Sequence, residues 1–338
     1  AVSSSVFVCL RSEFQPTQKT RRNYSFLGSF ASQSSLGLTL TFDEFYENFY
    51  GARWLEIKAA LLKDSVKWAW CNPHAKLENL EGELQAQFEE LRFVRWQKGE
   101  ATGRREVDGG SVLSHYILDP ASCQVACALA PKPGMDVVDL CAAPGGKSLL
   151  LMNLMQGQGR LVSNEFSSSR RENLKRILTQ YFPRAERDFL FVKGADAQKY
   201  GLKEPDSFDA VLADVPCSGE RHLLQSSVEL QQWRPARSKG LAVRQYSILS
   251  SAFLCLREMG RLVYSTCSLS SLENDQVVAK ILKRRAGEIW VRKDLIRWLT
   301  PEIQALAEET EHGYAFLPDR AGFGPMYFSV MIKSKDKF

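Results

Sequence analysis

The chain has no run of 18 apolar residues, so it offers no candidate for a membrane-spanning helix, and no membrane partner is expected. It has no CxxC pair either. Its eight cysteines, at positions 9, 71, 123, 127, 141, 217, 255 and 267, lack the even spacing of a secreted disulfide framework, so free thiols in a reducing compartment are expected. Cys71 and His74 stand too isolated for zinc, and Cys123 and Cys127 read as one face of a helix. Without four ligands at the usual spacing, no metal is expected. The GGKS at 145–148 is not a GxGxxG, and it lacks the glycine that a Walker loop carries four residues before its Gly-Lys, which disfavours a phosphate ligand.

What is present is organised around residues 136–148. Val137, Val138 and Leu140 suit a strand covered on both faces, and Gly145 and Gly146 supply a turn too tight for side chains. Leu149, Leu150, Leu151, Leu154 and Met155 then open an apolar helix. A strand, turn and helix in this order form a nucleotide-type crevice at the carboxyl end of a parallel sheet. The length of 338 residues allows one large domain and a smaller one, and the net charge of +5 suits an acidic partner such as RNA without demanding one.

Residues 1–40 hold nine serines, four Arg and Lys, and a single acid, Glu13. This composition resembles an organelle transit peptide, and a disordered tail or an upstream extension of the reading frame fits as well. From Phe42, the positions Phe45, Tyr46, Phe49, Trp54, Ile57 and Leu61 recur at helical steps, and a second helical pattern runs from Leu77 through Leu80, Leu84, Phe88 and Leu91. A small helical N-terminal domain over 41–111 is therefore expected, with a polar linker at 101–111. Core packing accounts for most of its aromatics; the rest, with Arg53, Lys58, Lys63 and Lys67, suit contact with RNA.

Beyond this point four more strands are expected: 160–165, ending in Glu165; 189–192, followed by Asp196; 208–214, delivering Asp214 and Cys217; and the fifth strand of the sheet, which with its exit loop spans 261–268 and carries Cys267. A helix capped within Ser167 to Ser169, with Leu174, Ile177, Leu178 and Tyr181 as its apolar face, is expected, and another from Val243 to Leu256, preceded by a long polar loop that runs to about Ser238. Two consecutive strands thus each end in a cysteine at one edge of the sheet, where their exit loops are neighbours.

The residues DLCAAPGGKS at 139–148, DVPCS at 214–218, YSTCSLS at 264–270 followed by Glu273 and Asn274, and FGPMYF at 323–328 resemble the Sun/Fmu-type (NOL/NOP/Sun) RNA 5-methylcytosine methyltransferases over roughly 112–334. The resemblance implies an α/β fold: a class I methyltransferase, Rossmann-like sheet, mostly parallel with one antiparallel strand near the C-terminus, occupying 112–338. It also implies S-adenosyl-L-methionine as cofactor and RNA as partner, ribosomal RNA first and tRNA second. No protein partner is named, and a monomer is expected.

Two thiols suit this chemistry because C5 of cytosine is too poor a nucleophile to take a methyl group unaided, so a thiolate must first add to C6. By resemblance Cys267 is the nucleophile, Cys217 helps release the product, and Asp214 contacts N3 of the base. The resemblance also assigns the cofactor to the loop Cys141, Ala142, Ala143, Pro144, Gly145, Gly146 and Lys147, with Glu165 at the ribose, Asp196 at the adenine amino group and Asp214 near the sulfonium. Two departures stand out: Glu258-Met259-Gly260 replaces the usual Pro-Gly-Gly before the fifth strand, and Glu165 stands where many relatives carry Asp. A DNA cytosine methyltransferase would use the Pro-Cys cysteine as nucleophile and needs no Thr-Cys motif. A non-catalytic assembly factor would need neither cysteine.

Overall fold

A computed structural model describes residues 40–75, 84–96, 104–107 and 110–336. The basic, serine-rich segment lies outside the described residues apart from Leu40, as do Leu77 and Leu80.

Helix α1 (Phe42–Tyr50) starts at a reciprocal cap, in which the Thr41 hydroxyl accepts from the Glu44 N–H and the Glu44 carboxylate accepts from the Thr41 N–H. Gly51, at φ 57°, ends it, and α2 (Trp54–Leu62) follows after one tight turn. Phe42, Phe45, Tyr46, Trp54, Ile57 and Leu61 are buried in one cluster with Leu223, Trp233, Leu269 and Leu317. Most of the N-terminal aromatics are therefore core. Arg53 is ion-paired with Glu308 and Asp319, and Lys58 with Asp43, so these two cations hold the fold together.

The second helical pattern is corrected by the structure. Strands β1 (Lys67–Cys71), β2 (Leu84–Phe88) and β3 (Leu91–Trp96) form an antiparallel sheet with β6 (His115–Leu118), in the order β2-β3-β1-β6. Leu84, Phe88 and Leu91 keep helical spacing, yet their neighbours alternate: Ala86 and Phe88 are buried around exposed Gln87, and Leu91 and Phe93 around exposed Arg92. The two-residue turn at Glu89, φ 50°, and Glu90 breaks the helical period. The expected linker holds a further antiparallel pair, β4 (Arg104–Val107) and β5 (Gly110–Leu113). The N-terminal part is thus α+β, and its sheet borrows β6 from beyond residue 111.

Helix α3 (Pro120–Leu129) is capped by Asp119, begins with proline and is buried at every position but Ser122. The sheet follows: β7 (Asp136–Asp139), α4 (Gly146–Met155), β8 (Arg160–Asn164), α5 (Ser168–Tyr181), β9 (Leu190–Lys193), α6 (Tyr200–Lys203) and β10 (Phe208–Asp214). After two short helices, α7 (Glu220–Leu223) and α8 (Ser227–Gln232), come the 21-residue α9 (Pro235–Cys255) and β11 (Leu256–Thr266). Helix α9 begins earlier than expected because Pro235 sets its first turn, while its first two turns are largely polar and hide the helical period.

Strands β9-β8-β7-β10-β11 are parallel in that order, so the chain reverses direction across the sheet between β7 and β10. Val137 and Leu212 enter one core and Val138 and Val211 another, as in a sheet covered on both faces. The C-terminal part supplies α10 (Asp275–Arg284), β12 (Ile289–Val291), α11 (Pro301–Leu306), β13 (Glu308–Glu309), β14 (Tyr314–Phe316), α12 (Pro318–Ala321) and β15 (Met326–Lys333). Strand β15 runs antiparallel to β11, as expected near the C-terminus, and the short β12, β13 and β14 extend the antiparallel part. Among the described residues no helix is long and apolar enough to cross a membrane.

Candidate active site

Strand β7 delivers the glycine loop at its carboxyl end. Gly145 sits at φ 122°, and a Cβ on Gly146 would lie 2.6 Å from Leu118 and 2.7 Å from Tyr116. The glycines therefore seat the start of α4 against β6 and α5 as well as making the turn. Asn164, the last residue of β8, ties the loops together: its side chain donates to the carbonyls of Leu140 (3.0 Å) and Ala195 (2.9 Å) and accepts from the Ala195 N–H (2.8 Å). The Ala142 N–H in turn donates to the Asn164 carbonyl at 2.8 Å. The loop of Cys141 to Lys147, Glu165 and the approach to Asp196 are thus brought to one rim.

The groups on that rim differ in how far they are engaged. Glu165 is buried, accepts from the Ser167 N–H at 2.9 Å and faces Arg170 at 3.4 Å; Arg170 also donates to the Ala143 carbonyl at 2.9 Å and so spans the loop and the acid. Asp196 caps the next turn through the Gln198 N–H at 3.0 Å. Burial pushes the Cys141 thiol well up, so it contributes surface and no charge.

Asp139 was not among the expected site residues. Its Oδ2 accepts from Ser148 at 2.8 Å, which in turn is bonded to Ser163, and its Oδ1 is buried with no hydrogen-bond partner among the described residues. Burial pushes this carboxyl up to about 7. A buried acceptor without a donor, beside a glycine loop, fits a ligand that carries cationic N–H groups, and the methionyl ammonium of S-adenosylmethionine has them.

The second group of residues lies at the exits of β10 and β11. Asp214 Oδ2 accepts from Lys147 Nζ at 2.7 Å and Oδ1 from Ser265 Oγ at 2.7 Å; Lys147 also reaches Ser122 at 3.3 Å. The carboxylates of Asp214 and Asp139 raise the pKa of Lys147 against the opposing effect of burial, which keeps it a cation. Asp214 pairs directly with Ser265 in the parallel ladder, so the loops beyond them run side by side. There the Cys267 N–H donates to Cys217 Sγ at 3.3 Å. A hydrogen bond to the Cys267 sulfur, with burial, holds the Cys217 thiol well above its ordinary range.

Two acids support these loops from behind. Glu273 Oε2 accepts from the Ser218 N–H at 3.0 Å and from Gln245 at 2.8 Å, and Glu220 accepts from Ser268 at 2.9 Å. Sequence reasoning missed Asn164, Arg170, Ser265 and Glu220, which act by holding other residues.

Against this geometry, a family model described as "16S rRNA methyltransferase RsmB/F" matches residues 126–332. The chain belongs to that family. Among curated RsmB/F-like relatives, the "5-cytosine rRNA methyltransferase NSUN4" of Bos taurus is 35% identical over 256 residues, covering 72% of this chain and 66% of that protein. The "tRNA (cytosine(34)-C(5))-methyltransferase, mitochondrial" of Mus musculus is 33% identical, covering 66% of this chain and 65% of that protein. These two alignments span just under two thirds of either relative's length. The mouse NSUN4 aligns more fully, at 31% identity over 85% of this chain and 86% of its own. Among solved structures, the NSun6 protein from Pyrococcus horikoshii superposes with a TM-score of 0.65 at 17% identity, over 87% of this chain and 98% of that one. At that identity the match speaks to the fold alone, a class I methyltransferase sheet.

Proposed function

We propose that the protein transfers a methyl group from S-adenosylmethionine to C5 of a cytidine in RNA, with small-subunit ribosomal RNA as the substrate. The observation that carries this is the meeting of Cys217, Cys267 and the Lys147–Asp214 pair at the carboxyl ends of adjacent parallel strands.

The cofactor supplies an electrophilic methyl group; the chain supplies everything that makes C5 able to accept it. Cys267, as thiolate, forms a bond to C6 and drives an electron pair to C5. Asp214, held by Lys147 and Ser265, faces N3 and stabilises the proton that N3 gains as C6 is attacked. Once C5 carries the methyl group it gives up its proton to a base. The C6–S bond then breaks and returns the electron pair to sulfur, N3 gives up the proton it had gained, and Cys217 assists release.

The cofactor is held by the loop Cys141 to Lys147, by Glu165 at the ribose, by Asp196 at the adenine and by Asp139 at the ammonium. The target base must leave its stack to enter the site, so a loop or an open assembly intermediate is the substrate.

Ribosomal RNA is placed first because NSUN4 and the bacterial small-subunit methyltransferase F enzymes are among the matched relatives, and tRNA second because mitochondrial tRNA enzymes match as well. A mitochondrial site of action follows if residues 1–40 serve as a transit peptide. Incubating the protein and labelled S-adenosylmethionine with small-subunit rRNA and with tRNA transcripts, then mapping the methylated cytidine by bisulfite sequencing, tests the reading. Label at one rRNA cytidine supports it; label on tRNA alone moves the substrate to tRNA, and no cofactor binding by calorimetry removes the enzymatic reading.

A further inference from the structure

We propose that Glu220 is a positioning residue for this reaction: one buried carboxylate, through Ser218 and Ser268, fixes the loop of Cys217 against the loop of Cys267. The inference rests on the two-thiol reading above.

Glu220 begins α7, three residues after Cys217, and is fully buried. Burial, with the neighbouring Glu273 carboxylate, pushes its pKa up, so the group is expensive to keep where it is. It is retained among four donors. Oε1 meets the hydroxyls of Tyr46, Ser218 and Ser268, and Oε2 accepts from the Leu269 N–H at 3.2 Å.

The sequence positions of those donors carry the argument. Ser218 directly follows Cys217, and Ser268 directly follows Cys267. Their hydroxyls also stand 2.9 Å apart. Two loops that leave different strands are therefore joined at a single oxygen, one residue from each sulfur. Tyr46 extends the joint to α1, whose Tyr50 hydroxyl donates to the Leu269 carbonyl at 2.7 Å. Apolar packing would stabilise such a junction at least as well. A carboxylate adds direction, and direction sets the distance between one thiol that attacks C6 and another that assists release. A displacement of about 1 Å at reacting groups costs roughly a hundredfold in rate.

The test uses the full chain, S-adenosylmethionine and the RNA transcript found to be labelled, and reads kcat, both KM values and the covalent protein–RNA adduct on denaturing gels. Glu220→Gln keeps the shape but places an NH2 group where an acceptor is needed. It is expected to lower kcat about a hundredfold with both KM values within about twofold, and to accumulate adduct because Cys217 is out of place. Tyr46→Phe removes a donor that belongs to neither thiol loop and is expected to keep kcat within about threefold.

A Glu220→Gln enzyme with near-parental kcat overturns the proposal. So does a loss of activity without adduct in a variant that still binds the cofactor, or a Tyr46→Phe defect as deep as that of Glu220→Gln. If Glu220→Gln does not fold, Ser218→Ala and Ser268→Ala each cut one tie: the first is expected to accumulate adduct, the second to slow its formation, and the absence of both effects overturns the clamp. Failure of the two-thiol reading shows separately, as methylation that survives Cys267→Ala.

Discussion

The backbone N–H of Cys267 donates to the sulfur of Cys217 at 3.3 Å, although 50 residues separate them in the chain. The contact follows from the direct pairing of Asp214 with Ser265 in the parallel ladder, which launches two short loops from adjacent strand ends. The neighbouring Cys267 sulfur, the larger cause, and burial hold the Cys217 thiol well above its ordinary range.

Asp139, proposed above to meet the methionyl ammonium, is expected to make cofactor binding pH-dependent. Its carboxyl is pushed up to about 7 by burial, and a cationic ligand is bound by the ionised form. Affinity for S-adenosylmethionine is therefore expected to rise about tenfold between roughly pH 6 and pH 8, and Asp139→Asn to abolish that rise, as titration calorimetry across the range will show. Stability moves the other way. A raised carboxyl pKa means the folded state holds a proton that the unfolded state has released, so stability declines as pH climbs from the ordinary carboxyl range to about 7, and Asp139→Asn removes the decline.

Lys147 and Asp214 form the best-formed ion pair at the site, with side chains 13% and 26% exposed. Lys147→Met leaves Asp214 without its cation and frees it to turn. Thermal or denaturant unfolding is expected to show a loss of about 1–3 kcal/mol, below the full cost of breaking a buried pair because Asp214 is a quarter exposed. In steady-state assays kcat is expected to fall by at least about tenfold.

Met259 stands where the related pattern has glycine, and it pays no role at the thiols, lying at the opposite end of β11. Its backbone is left-handed, at φ 62°, and its side chain is largely exposed. Met259→Gly is expected to stabilise the protein by roughly 0.5–1 kcal/mol, the relieved strain exceeding the extra freedom of the unfolded chain, with activity unchanged. Denaturant melts of the two proteins give the sign.

The central sheet was legible because its strands are apolar on both faces and end in unusual residues: Val137 and Val138 before the glycine loop, Val211 and Leu212 before Asp214. The paired cysteines were legible for the same reason. The β2–β3 hairpin was not, since Leu84, Phe88 and Leu91 satisfy three- and four-residue spacing as well as alternation, and only the turn at Glu89 and Glu90 separates the two readings. Supporting residues were the least visible. Asn164, Ser265 and Glu220 act on partners 24 to 51 residues away, and no local pattern marks such contacts.

The division of labour between the two thiols is the centre of this account, and trapping the covalent protein–RNA adduct tests it most directly. With S-adenosylmethionine and substrate RNA, Cys217→Ala is expected to accumulate an adduct that survives denaturing electrophoresis, while Cys267→Ala forms none and methylates nothing. An adduct that accumulates in Cys267→Ala and is absent from Cys217→Ala would reverse the roles and contradict the account.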